Sequence, residues 1–278
     1  MKLNQSLKES VKAFLDEDIG TGDVTAAIIP EHIRAEALVI SREDMVICGQ
    51  RWFDAVFNLL DENISIDWLV AEGDIIKAGA QLCRLTGCGR ALLTGERTAL
   101  NLLQTMSATA TISHRYAQAV AGTKCKVLDT RKTIPGLRMA QKYAVKCGGC
   151  YNHRIGLFDA VLIKENHIIT AGSIAKAIAK AREITNVLVE VEVENLVEFQ
   201  QALDAKPDRI MLDNFSLSEL QTAVRKNAGA VELEASGNVE LDNIRSIAET
   251  GVDYISVGAL TKNIKAVDLS MRIQFKES

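Results

Sequence analysis

Six short apolar runs, each followed by a helix-like stretch, set the rhythm of the second half of this sequence: Lys126-Val127-Leu128, Ala160-Val161-Leu162-Ile163, Val187-Leu188-Val189, Arg209-Ile210-Met211-Leu212, Val231-Glu232-Leu233 and Tyr254-Ile255-Ser256-Val257. Runs this short, spaced by a helix's length, form parallel sheets whose crossover helices cover the strands. A closed barrel of this kind needs about eight strands, so six imply an incomplete α/β (TIM-like) barrel, or one completed by other segments. An open doubly wound sheet has the same rhythm and is the alternative.

The first half reads differently. Leu7, Val11, Phe14 and Leu15 share one helical face, so the chain opens with an amphipathic helix ending near Gly20. Gly20-Thr21-Gly22-Asp23 is a turn and not a dinucleotide-binding loop, since no strand precedes it and the third glycine is absent. From Ala35 to about Leu85, short strands surround one helix, Gln50 to Leu60, with Glu72-Gly73-Asp74 and Lys77-Ala78-Gly79 as tight β connections. Lipoyl- and biotinyl-carrier folds use similar turns, but no lysine stands at a hairpin tip here. A long helix follows, roughly Arg90 to Val120, with Ala99, Leu103, Met106 and Ala110 as its buried stripe. Arg97 lies off that stripe, where an arginine taken alone is a solvated side chain.

Hydrophobic residues at 47% and charged residues at 24% are ordinary for a soluble globular protein, and the net charge of −4 argues against a nucleic-acid partner. The polar start, Met1 to Gln5, offers no apolar segment for export, and no apolar run reaches the ~18 residues of a membrane span. Six cysteines in 278 residues make no disulfide framework, and three prolines without a Ser/Gly-rich stretch leave no flexible linker. A cytoplasmic protein with reduced thiols and no membrane partner is expected.

Polar residues collect at the carboxyl ends of the expected strands: Asp129, Arg131 and Lys132; Lys164 and Glu165; Glu192 and Glu194; Asp213; Glu234 and Ser236; Gly258. Ligands of barrels and doubly wound sheets alike bind at those ends. One charged strand end is a helix cap or a solvated rim, whereas unlike charges at one strand end after another describe a mouth with two walls. Arg131, Lys132, Arg154 and Lys164, with His153, form a cationic wall suited to carboxylates and phosphates. Glu194 and Asp213 form an acidic wall, and acids facing a polyanion imply a bridging Mg²⁺ or hydrogen bonds to sugar hydroxyls. Ser236-Gly237-Asn238 and Val257-Gly258-Ala259 are each expected to open a helix, where small residues let backbone N–H groups cradle a phosphate.

Several of these segments resemble, in order, the quinolinate phosphoribosyltransferase family. They are Asp129-Thr130-Arg131-Lys132-Thr133-Ile134-Pro135-Gly136-Leu137-Arg138, Lys142-Tyr143-Ala144-Val145, Asn152-His153-Arg154 and Leu162-Ile163-Lys164-Glu165-Asn166-His167. Gly20-Thr21-Gly22-Asp23, Gly95-Glu96-Arg97-Thr98, Leu212-Asp213-Asn214 and Val257-Gly258-Ala259-Leu260 fit the same family, so the resemblance spans nearly the whole chain. It implies an N-terminal α/β sandwich domain over residues 1–105, with the C-terminal tail 264–278 packed on it, and an incomplete α/β barrel over 106–263. It also implies a homodimer or larger homo-oligomer, quinolinate and phosphoribosyl pyrophosphate as substrates, Mg²⁺ as cofactor, and a place in NAD biosynthesis.

By matching position, Arg97, Arg131, His153 and Arg154 would hold quinolinate, and Thr130 would join the substrate contacts. Lys132, Lys164, Glu194 and Asp213 would handle ribose, pyrophosphate and metal and carry the catalytic work. Ser236, Gly237 and Asn238, with Val257, Gly258 and Ala259, would form the ribose-phosphate loops. Arg97, in the first domain, would serve the neighbouring subunit's site. One departure is Cys147-Gly148-Gly149-Cys150, where family members tend to be glycine-rich. No second cysteine pair stands at zinc-site spacing, so these thiols are expected to fill small spaces. Three other functions compete: a nicotinate phosphoribosyltransferase gripping one carboxylate, a Schiff-base aldolase using Lys164, and a non-catalytic sugar-phosphate binder.

Overall fold

Helix α1 (Lys2–Ile19) buries Val11 and Leu15, as its apolar spacing dictates, and stops at Gly20, whose φ of 53° no right-handed helix continues. The computed structural model describes residues 2–275 and divides into two units, one reaching Thr111 and resuming at Ile264, the other Ile112–Asn263. In the first unit follow β1 (Arg34–Ser41), β2 (Met45–Val46), α2 (Gln50–Leu60), β3 (Ser65–Trp68), β4 (Ile75–Ile76) and β5 (Gln81–Cys88). Helix α3 (Gly89–Ala119) then carries the chain into the second unit. That unit holds β6 (Lys126–Leu128), α4 (Arg138–Cys147), β7 (Ala160–Ile163), α5 (Glu165–Ala171), α6 (Ile174–Ile184), β8 (Leu188–Val193) and α7 (Leu196–Ala205). It ends with β9 (Arg209–Asp213), α8 (Leu217–Asn227), β10 (Glu232–Ser236), α9 (Ile244–Ala248), β11 (Tyr254–Ser256) and α10 (Ala259–Lys262), and β12 (Leu269–Phe275) returns to the first unit.

The first unit is built on an antiparallel sheet ordered β12-β1-β5-β3. Ala35, Ala37 and Val39 of β1 are buried, and the residues between them are not, the period-two pattern of a sheet with one covered face. The tail supplies β12, paired with β1 from Ala35↔Phe275 to Ser41↔Leu269, and residues 276–278 lie outside the described residues. The division between the units falls after Thr111, later than the expected 105/106, because α3 runs unbroken through that point. Ala99, Leu103, Met106 and Ala110 are all buried, and each of the two larger side chains contributes about 1.5–3 kcal/mol. Gly95 of the same helix sits where α2 crosses: a Cβ there would lie 2.8 Å from both Phe57 and Leu60. Asp23 accepts hydrogen bonds from the Thr25 and Ala26 N–H groups and the Thr94 hydroxyl, so the Gly20–Asp23 turn is tied to α3.

The second unit's six strands are all parallel, in the order β6-β11-β10-β9-β8-β7. From β7 to β11 they lie in chain order without a reversal, and the first strand, β6, lies beside the last. A doubly wound sheet reverses midway; this one is an incomplete α/β barrel with β6 and β7 as its edges. Val189, Val191, Val193, Ile210, Leu212, Leu233, Ala235 and Ile255 pack with the helices in one apolar core. The residues alternating with them, Glu190, Glu192, Arg209, Met211, Asp213, Glu232, Glu234 and Ser236, face the other way. Among the described residues no helix is long and apolar enough to cross a membrane, and no disulfide joins any of the six cysteines.

Candidate active site

A cavity of about 750 Å³ opens at the carboxyl ends of β6, β9, β10 and β11. Thr130, Lys132, Asp213, Ser236, Gly237, Asn238, Val257, Gly258 and Ala259 line it, all residues expected at the site. The Lys132 N–H donates to Thr130 Oγ1 (3.1 Å), and its carbonyl accepts from Thr261 Oγ1 (2.8 Å). Its side chain passes over Gly258, where a Cβ would lie 3.2 Å from Lys132 Cδ. Across the mouth, Asn214 (φ 57°), Gly237 (φ 96°) and Asn238 (φ 49°) are all left-handed, and a Cβ on Gly237 would collide with the Asn214 side chain. Those conformations correct one expectation. Ser236-Gly237-Asn238 opens no helix, because a right-handed helix cannot start through them, and α9 begins only at Ile244. Val257-Gly258-Ala259 does lead into a helix, the short α10.

A second set of polar residues surrounds the Asn152-His153-Arg154 stretch. Asp129, fully buried, accepts from Lys142 Nζ (2.6 Å), Asn152 Nδ2 (2.7 Å) and the His153 N–H (2.8 Å). It is therefore a brace and not the free mouth carboxylate its strand-end position suggested. Burial raises its pKa against the pull of Lys142, and burial likewise lowers Lys142. Arg154 Nη1 donates to the Ala160 carbonyl at 3.2 Å. Burial and the neighbouring charge of Arg131 push the Arg154 guanidinium down, while Glu190 and Asp159 oppose them. Arg131 Nε is buried and has no hydrogen-bond partner.

The His153 ring is buried with only one nitrogen hydrogen-bonded, Nε2 having no hydrogen-bond partner. Its Nδ1 accepts the Arg154 N–H at 2.8 Å, and its Nε2 lies 2.8 Å from Glu190 Oε2 and 3.4 Å from Glu234 Oε2. Neither contact has the alignment of a hydrogen bond, so both Glu190 oxygens and Glu234 Oε1 are buried without a partner. Glu234 is also held by Arg209 Nη1 (3.1 Å), whose guanidinium reaches Glu232 (3.0 Å) and stacks 3.9 Å above the Tyr254 ring. Sequence reasoning missed Glu190 and Arg209 and read Glu234 as a strand end. The signal was the alternation Val189-Glu190-Val191-Glu192-Val193-Glu194: a parallel strand is ordinarily apolar on both faces, so a glutamate at every second position marks a polar inner face.

The remaining expected residues are not among those lining the cavity. Lys164, at the end of β7, pairs with Glu192 at 2.6 Å, and its N–H donates to His167 Nδ1 at 3.0 Å. Glu194 is exposed just past β8, its N–H donating to Glu198 at 3.0 Å. Arg97 is exposed on α3 in the first unit and has no hydrogen bond or ion pair among the described residues. Cys150 is packed against the chain: its Sγ donates to the Ser113 carbonyl at 3.1 Å, and burial pushes the thiol up to about 12.

An incomplete α/β barrel whose mouth presents a lysine, a carboxylate and left-handed backbone turns at the strands' carboxyl ends is of the class that takes phosphorylated, anionic ligands. Comparison with known proteins narrows that class. The profile of the quinolinate phosphoribosyl transferase N-terminal domain matches residues 23–107, and that of the C-terminal domain matches residues 109–272. The chain belongs to the quinolinate phosphoribosyltransferase family. A chloroplastic nicotinate-nucleotide pyrophosphorylase [carboxylating] from rice (Oryza sativa subsp. japonica) is 42% identical over 96% of this chain and 77% of its own length. The nicotinate-nucleotide pyrophosphorylase [carboxylating] of Mycobacterium leprae is 40% identical over 95% of this chain and 96% of its own. The solved nicotinate-nucleotide pyrophosphorylase of Francisella tularensis superposes with a TM-score of 0.94 at 52% identity, covering 98% of this chain and 97% of that one.

Proposed function

We propose that this enzyme joins quinolinate to the ribose of phosphoribosyl pyrophosphate, forming nicotinate mononucleotide, pyrophosphate and CO₂ in NAD biosynthesis. The observation that carries the reading is the cavity shared by Lys132, Asp213, the 236–238 turn and Gly258, next in the chain to a loop rich in carboxylate-binding groups. The ring nitrogen attacks C1 of the ribose as the bond to pyrophosphate breaks, through an oxocarbenium-like transition state. Lys132 and Lys164 neutralise the departing pyrophosphate, and Ser236, Gly237, Asn238, Val257, Gly258 and Ala259 receive the ribose phosphate. Arg131 and Arg154 hold the two carboxylates with the nitrogen facing C1, a positioning effect worth up to ~7–11 kcal/mol in model systems. His153 braces Arg154 through its Nδ1 contact. Once the nitrogen is quaternised, the adjacent ring carbon bears transient negative charge, CO₂ leaves, and a proton takes its place.

Asp213, in the cavity, with Glu194 suits Mg²⁺, which takes one or two protein carboxylates and completes its shell with substrate phosphates. When bound, the ion supplies positive charge to the leaving group. Six cysteines without a disulfide suit a reducing, cytosolic setting.

The test is product detection with phosphoribosyl pyrophosphate and Mg²⁺, offering quinolinate and nicotinate separately. Quinolinate is expected to turn over and nicotinate at most to inhibit. A lost charge-assisted hydrogen bond, roughly 1.5–3 kcal/mol, gives ten- to hundredfold discrimination. Comparable turnover of nicotinate would sink the reading. The exposed, unpaired Arg97 is expected to act across a homodimer or larger assembly, each chain lending it to its neighbour. Arg97→Ala and Glu194→Ala enzymes should each be nearly inactive. Co-refolded as mixed dimers they should recover about a quarter of wild-type turnover, because half the dimers are mixed and one of their two sites is whole. No recovery, with mixed dimers confirmed, would place Arg97 elsewhere.

A further inference from the structure

Beneath the arginines stands a group of charges that the reaction as written does not use. The ligand atoms of His153, Glu190 and Glu234 lie within 4.8 Å of one another, and both glutamates are fully buried. A carboxylate with both oxygens unpartnered, as in Glu190, does not persist in a dry interior; it takes a proton, a metal ion or a cationic neighbour. Arg209 already stands 3.1 Å from Glu234, and Arg131 and Arg154 add positive charge above, so a further divalent ion is disfavoured and a proton is the natural partner. We propose that His153, Glu190 and Glu234 form a proton-holding positioning set, which takes up a proton from solvent when a dicarboxylate dianion binds Arg131 and Arg154. The proposal rests on the reading of those arginines given above.

The charged groups around the set agree with this. Glu234, though burial opposes it, is kept below the ordinary carboxylate value by His153, Ser256 and Arg209. Burial and the charge of Glu234 push Glu190 up to about 7. Burial disfavours a charged His153 ring, and the two glutamates oppose that by pulling the other way. The Arg154 N–H donated to Nδ1 keeps the ring to one proton, on Nε2, so the additional proton sits on Glu190. Asp129 and Lys142 neutralise each other, and burial together with Glu232, which accepts the phenol's hydrogen bond, keeps Tyr254 protonated and uncharged. Glu190, raised to about 7, holds that proton below neutrality and loses it from the free enzyme as pH rises past about 7. Two added negative charges on the arginines raise the set's proton affinity, so binding above neutrality draws a proton in. With the proton taken up, His153 keeps its contact with the Arg154 backbone, and the bound carboxylates take over as the counter-charge of the guanidiniums.

The experiment uses the full-length enzyme. Quinolinate is titrated calorimetrically at about pH 8 in two buffers of different ionisation enthalpy, and kcat/KM for quinolinate is followed from about pH 6 to 9. Wild type is expected to take up about half a proton or more per chain and to lose kcat/KM as pH rises. Glu190→Gln, which keeps the shape and removes the titrating group, should abolish the uptake and flatten the alkaline limb, and Glu234→Gln gives a second route if that variant fails to fold. A flat wild-type profile, binding without uptake, or a Glu190→Gln enzyme with the wild-type limb would overturn the proposal. So would one tightly held divalent ion per chain that Glu190→Gln releases. If no product forms from quinolinate at any pH, the functional reading has failed instead.

Discussion

Arg209 and Ile210 are neighbours in the chain and opposites in surroundings. Both are buried on β9, Ile210 against the helices in a wholly apolar core, Arg209 on the inner face between Glu232 and Glu234. On the helix-covered face each side chain needs only a neighbour of the right volume, and many hydrocarbons satisfy that. On the inner face each charge needs one particular partner from another strand. Strand register brings Glu190 and Glu232 level with Arg209, and Met211 level with Glu192 and Glu234. One face therefore specifies stability through volume, and the other specifies chemistry through identity.

The largest expected effect comes from the inner face. Arg209→Met leaves the Glu234 carboxylate buried without its cation, and removing one member of a buried pair costs about 3–5 kcal/mol. Urea unfolding should show it, and a midpoint within error of wild type would mean that water reaches Glu234. Next is Ile210→Ala, a cavity in the other face at about 2–5 kcal/mol. Turnover per folded molecule should stay unchanged; a loss would show that the two faces are coupled. Asp213→Asn reverses the balance. In the cavity lining it should shift unfolding by less than about 0.5 kcal/mol while turnover falls and the Mg²⁺ dependence weakens. A wild-type Mg²⁺ response would make Asp213 a rim residue. Smallest is Lys12→Ala in the first unit, whose 2.6 Å pair with Asp16 is exposed on α1. Its removal should change stability by no more than about 0.5 kcal/mol, and a larger change would show that exposure alone does not separate idle charges from working ones.

The same contrast explains what could be read in advance. The six strands, the helix from Gln50 to Leu60 and the buried stripe of α3 were legible because periodic burial writes itself into local spacing. The motifs carrying Lys132, Asp213, Gly237 and Gly258 were legible because their residues are close in sequence to the turns that shape the cavity. Glu190 beside His153, and Arg209 beside Glu234, were not. These contacts depend on how strands and loops align across the sheet, which local spacing does not encode. The helix expected at Ser236 failed for a backbone reason: asparagine accepts left-handed geometry, and Asn238 adopts it.

Glutamate at every second position of β8 also governs how the chain finds its structure. Were β8 to slide by one residue against β7 and β9, Glu190 and Glu192 would enter the hydrocarbon layer under the helices, and Val189, Val191 and Val193 would surface among the charges. Misaligned assembly is thus strongly penalised, and a strand that would otherwise tolerate slippage has a single permitted alignment. It follows that deleting one residue within β8 should be far more damaging than deleting one from a surface loop, even where the lost residue is itself dispensable.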